Sequence, residues 1–166
     1  MVLYLVRHGI ATPRGEQGLL PDGDRDLTPE GVKKTRRLAR ALHALGVELS
    51  EIWTSPLTRA ARTARLLAES YDLASRVRTL DCLSPGGAFD ELVDALREVG
   101  RGAGIAAVGH EPFLGEFTSY LLTGTQAASI AYKKGGVAAL ELTEFVAPVR
   151  ARLLWLLTPR IVGQIG

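Results

Sequence analysis

The sequence predicts an α/β fold, with a mainly parallel, twisted sheet carrying helices on both faces, in one domain spanning residues 1–166. Three observations predict it. Short apolar runs alternate with stretches of helical spacing along most of the chain. The first run, residues 2–6, is continuously apolar and partly β-branched, as a strand covered on both faces should be. Helix starts and stops fall where capping chemistry needs them, at Thr28-Pro29-Glu30 and at Gly46.

The elements follow in order. The strand over 2–6 stops at Arg7-His8-Gly9, and residues 9–26, rich in Gly, Pro and charge, read as a loop. Thr28 supplies a capping hydroxyl, Pro29 a ready-made first helical residue and Glu30 an acid in the first turn. Val32, Leu38, Ala39, Leu42 and Leu45 continue at mostly helical spacing until Gly46 ends the helix. Residues 51–54 form a second strand, and Ser55-Pro56 opens a second helix that runs to about Tyr71. A weaker strand over 77–80 leads through Ser84-Pro85-Gly86-Gly87 to a helix over 89–99. A fourth strand, 105–108, stops at Gly109-His110, and a helix over 112–122 follows. Residues 137–142 and 153–157 are late strands with no clear helix between them, which reads as a hairpin-like pair.

Composition narrows the class. The chain has 166 residues, 46% apolar and 23% charged, enough to build a core and close to the usual globular balance. A formal net charge of +2 is too small to call for a nucleic-acid partner. Cys82 is the single cysteine, so no intramolecular disulfide forms, and one cysteine with three histidines offers no zinc-type spacing. The N-terminus lacks a basic region before its short apolar run, and no apolar stretch reaches the roughly 18 residues of a membrane span. The expectation is a soluble, cytoplasmic chain with neither membrane nor nucleic acid as partner.

In parallel sheets of this kind, ligands bind beyond the carboxyl ends of the strands. The first strand delivers Arg7, His8 and Gly9 to that edge; the second delivers Ser55-Pro56-Leu57-Thr58-Arg59; the third delivers Asp81 and Cys82; the fourth delivers Gly109 and His110. Two histidines and two arginines at one edge repel one another unless an anion sits among them. A phosphate dianion meets that demand, because guanidinium forks match its geometry and helix N-termini add donors.

These residues carry a family resemblance. Leu5-Val6-Arg7-His8-Gly9 resembles the R-H-G signature of the histidine phosphatase superfamily, which has the phosphoglycerate mutase-like fold. Leu27-Thr28-Pro29-Glu30-Gly31, Ser55-Pro56-Leu57-Thr58-Arg59-Ala60 and Val108-Gly109-His110 are similar to its later motifs, in the right order, with a looser echo at Lys133-Lys134-Gly135-Gly136. The short chain and the Gly109-His110-Glu111-Pro112 segment resemble the small phosphohistidine phosphatases of the SixA type. The resemblance implies a metal-independent, cofactor-free phosphatase. It implies that His8 is the nucleophile that becomes phosphorylated, that Arg7 and Arg59 bind the phosphoryl oxygens, and that His110 donates to the same group. Gly9 belongs to the same phosphate-binding motif, and Arg25 resembles an additional phosphate contact of the small members.

The chemistry suits those residue types. Phosphoryl transfer needs positioning and charge stabilisation above all. A neutral imidazole is a competent nucleophile, and neighbouring arginines lower its pKa from about 6.5. Bound phosphate would instead favour the charged, donating form of His110. Larger family members place an acid after the third strand to protonate a leaving alcohol. Here the segment reads Leu80-Asp81-Cys82, and because successive strand residues face opposite sides, one of Asp81 and Cys82 is expected to reach the pocket. A weak acid matters little for phosphohistidine, whose imidazole leaves readily. The leading expectation is therefore a phosphorylated protein as partner. One alternative is a small-molecule phosphomonoesterase or pyrophosphatase with Asp81 as its acid. Another is a non-catalytic phosphate-binding docking module. Lys133 and Lys134 read as a charged turn.

Overall fold

The computed structural model describes residues 1–13, 15, 21–99, 102, 104–144 and 149–165. Six strands form one sheet in the order β3-β2-β4-β1-β5-β6. The parallel part comprises β1 (Val2–Arg7), β2 (Glu51–Thr54), β3 (Val77–Thr79) and β4 (Gly104–Gly109). The hairpin of β5 (Val137–Glu144) and β6 (Arg150–Leu157) adds to β1 in antiparallel sense. Among the described residues no helix is long and apolar enough to cross a membrane.

The apolar run of β1 splits between two cores, as a strand covered on both faces must. Leu3 and Leu5 join the core under α3 (Phe89–Val99) and α4 (Phe113–Thr123), with Leu92, Phe113 and Phe117. Tyr4 and Val6 join the opposite core, under α1 (Pro29–Ala44) and α2 (Thr58–Ser70), with Leu38, Leu42 and Leu67. Each fully buried Leu contributes roughly 1.5–3 kcal/mol. This two-sided clamp fixes the height of β1, and with it the place where its polar end emerges.

Helix α1 begins as its residues dictate: the Thr28 hydroxyl accepts from the Gly31 N–H at 3.0 Å, and Pro29 is the first helical residue. Helix α2 starts later than Ser55-Pro56 suggests. The Ser55 N–H still donates to the Val108 carbonyl, 3.1 Å away, so Ser55 extends the sheet and Leu57 is the residue before the helix. A further short helix, α5 (Pro159–Ile165), packs Val162 into the core beneath α1. Its pattern is too short for periodicity to reveal. Much of the predicted 9–26 loop is irregular as expected, with residues 14 and 16–20 outside the described set; the rest holds a 3₁₀ turn at Asp22–Asp24 and a bridge between Ala11 and Leu27.

The third strand ends earlier than expected, and this corrects the reading of Asp81 and Cys82. After Thr79 the chain curls into a 3₁₀ turn over Asp81–Leu83, closed by Leu83 N–H to the Leu80 carbonyl at 3.1 Å. Strand alternation no longer applies in such a turn. Cys82 points into the core, where burial pushes its thiol up to about 11, while Asp81 is exposed.

Candidate active site

Strand register brings the two histidines together. Arg7 lies opposite Gly109 in the β1–β4 pair, and the His8 N–H donates to the Gly109 carbonyl at 3.1 Å. One residue beyond each strand, the imidazoles of His8 and His110 lie with centroids 4.9 Å apart and planes tilted by 49°. On the other side of β4, Thr54 opposes Val108, which carries the Ser55 hydroxyl to within 2.9 Å of His110 Nε2. His110 Nδ1 is buried and has no hydrogen-bond partner.

His8 is 6% exposed, and its Nδ1 lies 2.7 Å from the Gly9 carbonyl. A carbonyl only accepts, so this nitrogen carries the proton and Nε2 of the neutral ring keeps its lone pair. Gly9 is also held through its N–H, which donates to Thr63 Oγ1 at 3.0 Å, and Thr63 in turn donates to the Arg59 carbonyl at 2.7 Å. The end of β1 is thereby tied to the first turn of α2. A Cβ on Gly9 would come within 2.7 Å of Thr35 Oγ1, so this close approach admits no side chain.

Arg59 is 5% exposed and donates to Asp22 twice, to the carbonyl at 2.8 Å and to Oδ2 at 3.2 Å. Arg25 reaches Asp22 Oδ1 at 2.9 Å and the Thr12 carbonyl at 2.7 Å. The Asp22 carboxylate therefore bridges two guanidinium groups. Arg7 donates to the Tyr132 carbonyl at 2.5 Å, and Tyr132 donates its N–H to Glu111 Oε1 at 2.6 Å.

These side chains line a cavity of about 260 Å³, with Pro85 and Lys134 completing its wall. A groove of about 740 Å³ adjoins it, sharing Arg25 and Lys134 and running past Ile10, Pro13 and Glu30. Among the described residues no group of three or more His, Cys, Asp or Glu side chains is placed to hold a metal ion.

Both imidazoles are held neutral. Burial lowers His8 to about 4; the Gly9 carbonyl opposes this, and Arg59, Arg7 and Lys134 lower it further. Burial likewise lowers His110 to about 3, reinforced by His8, Arg59 and Arg7 and opposed by Asp22. Desolvation, rather than the arginines expected from sequence, is the leading cause at both sites.

Of the residues singled out from sequence, Arg7, His8, Arg25, Arg59 and His110 converge on the cavity. Two do not. Gly9 spends both backbone groups on Thr63 and His8, so it supports the site without lining it. Asp81 lies outside the cavity, for the reason given above; the nearest contribution from that segment is Pro85. The sequence assigns no individual role to Asp22, Ser55 or Glu111. Ser55 was visible as the residue next to the second strand and Asp22 by its i,i+3 spacing to Arg25, whereas Glu111 gave only its place beside His110.

A sheet edge presenting two neutral histidines among arginines, on strands in this order, defines the class: a phosphatase with the phosphoglycerate mutase-like fold. The chain belongs to the histidine phosphatase superfamily (branch 1), whose family model matches residues 3–84. It is 36% identical over 143 residues to an uncharacterized protein of Picosynechococcus sp. (strain PCC 7002), covering 85% of each chain. It is 29% identical over 127 residues to the phosphohistidine phosphatase SixA of Escherichia coli (strain K12), covering 75% of this chain and 76% of that one. The solved structure of the protein histidine phosphatase SixA complexed with tungstate superposes with a TM-score of 0.84 at 23% identity, over 96% of this chain and 98% of the other.

Proposed function

We propose that the protein dephosphorylates phosphohistidine on a partner protein through a phosphoryl intermediate on His8. The observation that carries this reading is the commitment of His8 Nδ1 to the Gly9 carbonyl, which leaves the Nε2 lone pair for attack in a cavity walled by Arg7, Arg25 and Arg59. Nε2 attacks phosphorus as the phosphorus–nitrogen bond to the substrate imidazole breaks, and the leaving nitrogen takes its proton from solvent. Water then attacks the phosphoryl group on His8, releases inorganic phosphate and restores the neutral imidazole. The guanidinium groups balance the charge on the equatorial oxygens throughout. The Ser55 hydroxyl accepts from the Leu57 N–H at 3.2 Å and lies 2.9 Å from His110 Nε2, and in this reading it donates its own proton there. His110 then carries its hydrogen on Nδ1, where it donates to a phosphoryl oxygen.

The choice of phosphohistidine is supported by the carboxyl groups. Among the described residues lining the cavity, the carboxyls are Asp22 and Glu111. Asp22 is held by two guanidinium groups, and Glu111 Oε1 accepts from the Tyr132 N–H. Neither is disposed to protonate a departing alkoxide, whereas an imidazole leaves a phosphoramidate without such help. The adjoining groove supplies room for the protein that bears the phosphohistidine.

The test is incubation with a labelled phosphohistidine protein and with a labelled alkyl phosphate, followed by detection of acid-labile phosphate on the enzyme. Wild type should be labelled by the first donor and His8→Ala should not. Asp81→Asn should leave phosphohistidine turnover intact. Faster turnover of the alkyl phosphate, abolished by Asp81→Asn, would replace this reading with a small-molecule phosphatase. Tight phosphate binding without any phosphoenzyme would indicate a docking module.

A further inference from the structure

We infer that Glu111 is a positioning residue for the phosphate-binding guanidinium of Arg7, acting through the backbone of Tyr132. The inference deepens the proposed reading, because it assigns a residue that sets the geometry of that same cavity. Four hydrogen bonds and the close packing of the Tyr132 segment against α4 carry it.

Glu111 Oε1 accepts from the Tyr132 N–H at 2.6 Å, and the Tyr132 carbonyl accepts from Arg7 Nη1 at 2.5 Å. The two ends of one residue thus join a carboxylate beside His110 to an arginine beside His8. Tyr132 is 2% exposed, and its hydroxyl lies 2.7 Å from Thr118 Oγ1. Thr118 donates to the Leu114 carbonyl at 2.7 Å, so the Tyr132 hydroxyl donates to Thr118. The ring is pinned in the core, and the Tyr132 carbonyl can hold Arg7 only if the backbone is pinned as well. Glu111 does this. The segment also packs hard against α4: a Cβ on Gly115 would fall 2.1 Å from the Ile130 carbonyl oxygen and 3.1 Å from Glu111 Oε2.

Arg7 needs such a hold. Its Nε is buried without a hydrogen-bond partner, and the Tyr132 carbonyl sets the rotation of the guanidinium about its stem. A guanidinium grips a tetrahedral oxyanion through paired N–H groups only at one orientation. Glu111 touches neither a reacting atom nor the phosphate in this scheme; it fixes the donor that does.

The test is a double-mutant cycle on Glu111 and Arg7, read by inorganic phosphate binding and by kcat/KM on a phosphohistidine protein. Glu111→Ala should weaken phosphate binding and lower kcat/KM by several-fold to about tenfold, the worth of one lost hydrogen bond. In the Arg7→Ala background the same change should have no further effect. Glu111→Gln, which keeps an acceptor oxygen, should stay within about twofold of wild type on both readouts. Additive losses in the cycle would overturn the inference, as would unchanged phosphate binding in Glu111→Ala. A Gln variant as impaired as Ala in turnover, with normal phosphate binding, would point to proton transfer by Glu111 and also overturn it. If Glu111→Ala does not fold, the Gln variant alone decides, since loss of phosphate affinity there contradicts the acceptor role. Phosphate binding is measured without turnover, so failure of the His8 reading would leave this test intact and separately legible.

Discussion

The Ser55 hydroxyl lies 2.9 Å from Nε2 of His110, and both residues sit immediately beyond adjacent parallel strands. Ser55 is fully buried, so its hydrogen bond is not shared with solvent. In the proposed scheme the residue after the second strand thereby selects the tautomer of the histidine that the fourth strand delivers. Ser55→Ala should lower kcat/KM on phosphohistidine by several-fold to about tenfold, the worth of one lost hydrogen bond in the transition state. Ser55→Thr, which keeps the hydroxyl, should retain more activity than Ser55→Ala. Equal kcat/KM for wild type and Ser55→Ala would show that His110 needs no such partner.

The two histidines make stability depend on pH in a defined window. Both have native values below the ordinary 6.5, at about 4 for His8 and about 3 for His110, so the unfolded chain binds their protons first. Their contribution is complete above about pH 6.5 and is lost as the pH falls toward 4, with a slope of up to about 1.4 kcal/mol per pH unit for each. Thermal midpoints should decline across that interval. His8→Asn should flatten the decline, and NMR titration of the imidazoles should show both rings neutral at pH 6. A midpoint near 6.5 for His8 would contradict the effect of burial.

Asp22 holds Arg25 and Arg59 in the absence of substrate, with contacts at 2.9 and 3.2 Å. An incoming phosphate competes with this carboxylate for the same donors. Asp22→Asn should therefore tighten inorganic phosphate binding several-fold, measurable by calorimetry at fixed ionic strength. Weaker binding would mean that Asp22 organises the arginines more than it occupies them.

Arg59 and Arg25 should differ in consequence. Arg59 is nearly buried and lies among the deepest donors, whereas the Arg25 side chain is 14% exposed and sits between the cavity and the groove. Arg59→Ala should cost about tenfold to a hundredfold in kcat/KM, and Arg25→Ala less than that. Steady-state kinetics on both variants give the order directly; a larger loss for Arg25 would reverse it.

Gly9 makes a prediction for stability. The added Cβ of Gly9→Ala would meet Thr35 Oγ1 at 2.7 Å and Leu27 Cδ2 at 3.2 Å, so α1 or the end of β1 must shift. A loss of about 1–3 kcal/mol is expected in denaturant unfolding, with activity falling because His8 moves with it. Thr35→Ser should leave the clash in place, whereas Thr35→Ala in the Gly9→Ala background should restore part of the stability.

Much of this architecture was legible in the residues. The order of strands and helices followed from apolar periodicity and capping, and Thr28 caps α1 as its hydroxyl suggests. The hairpin of β5 and β6 was legible from two strands with no helix between them. The misjudged segment, Leu80-Asp81-Cys82, failed because alternation holds only while the ladder continues, and β3 stops at Thr79. Ser55 was misread for the opposite reason: a residue with a helix-start signature was kept in the ladder by a bond to Val108.

By itself the sequence determined which residues stand at strand ends, because burial on two faces demands an unbroken apolar run and the first polar residue must then emerge from the sheet. That places Arg7-His8 and His110 at one edge whatever the loops do. Only the tertiary structure decided what each of them touches. Asp22 bridges Arg25 and Arg59, Ser55 meets His110, and Glu111 reaches Arg7 by way of Tyr132 across more than a hundred residues of chain. Periodicity is a local property of the chain, whereas register, side-chain reach and desolvation are set by neighbours that only folding brings together.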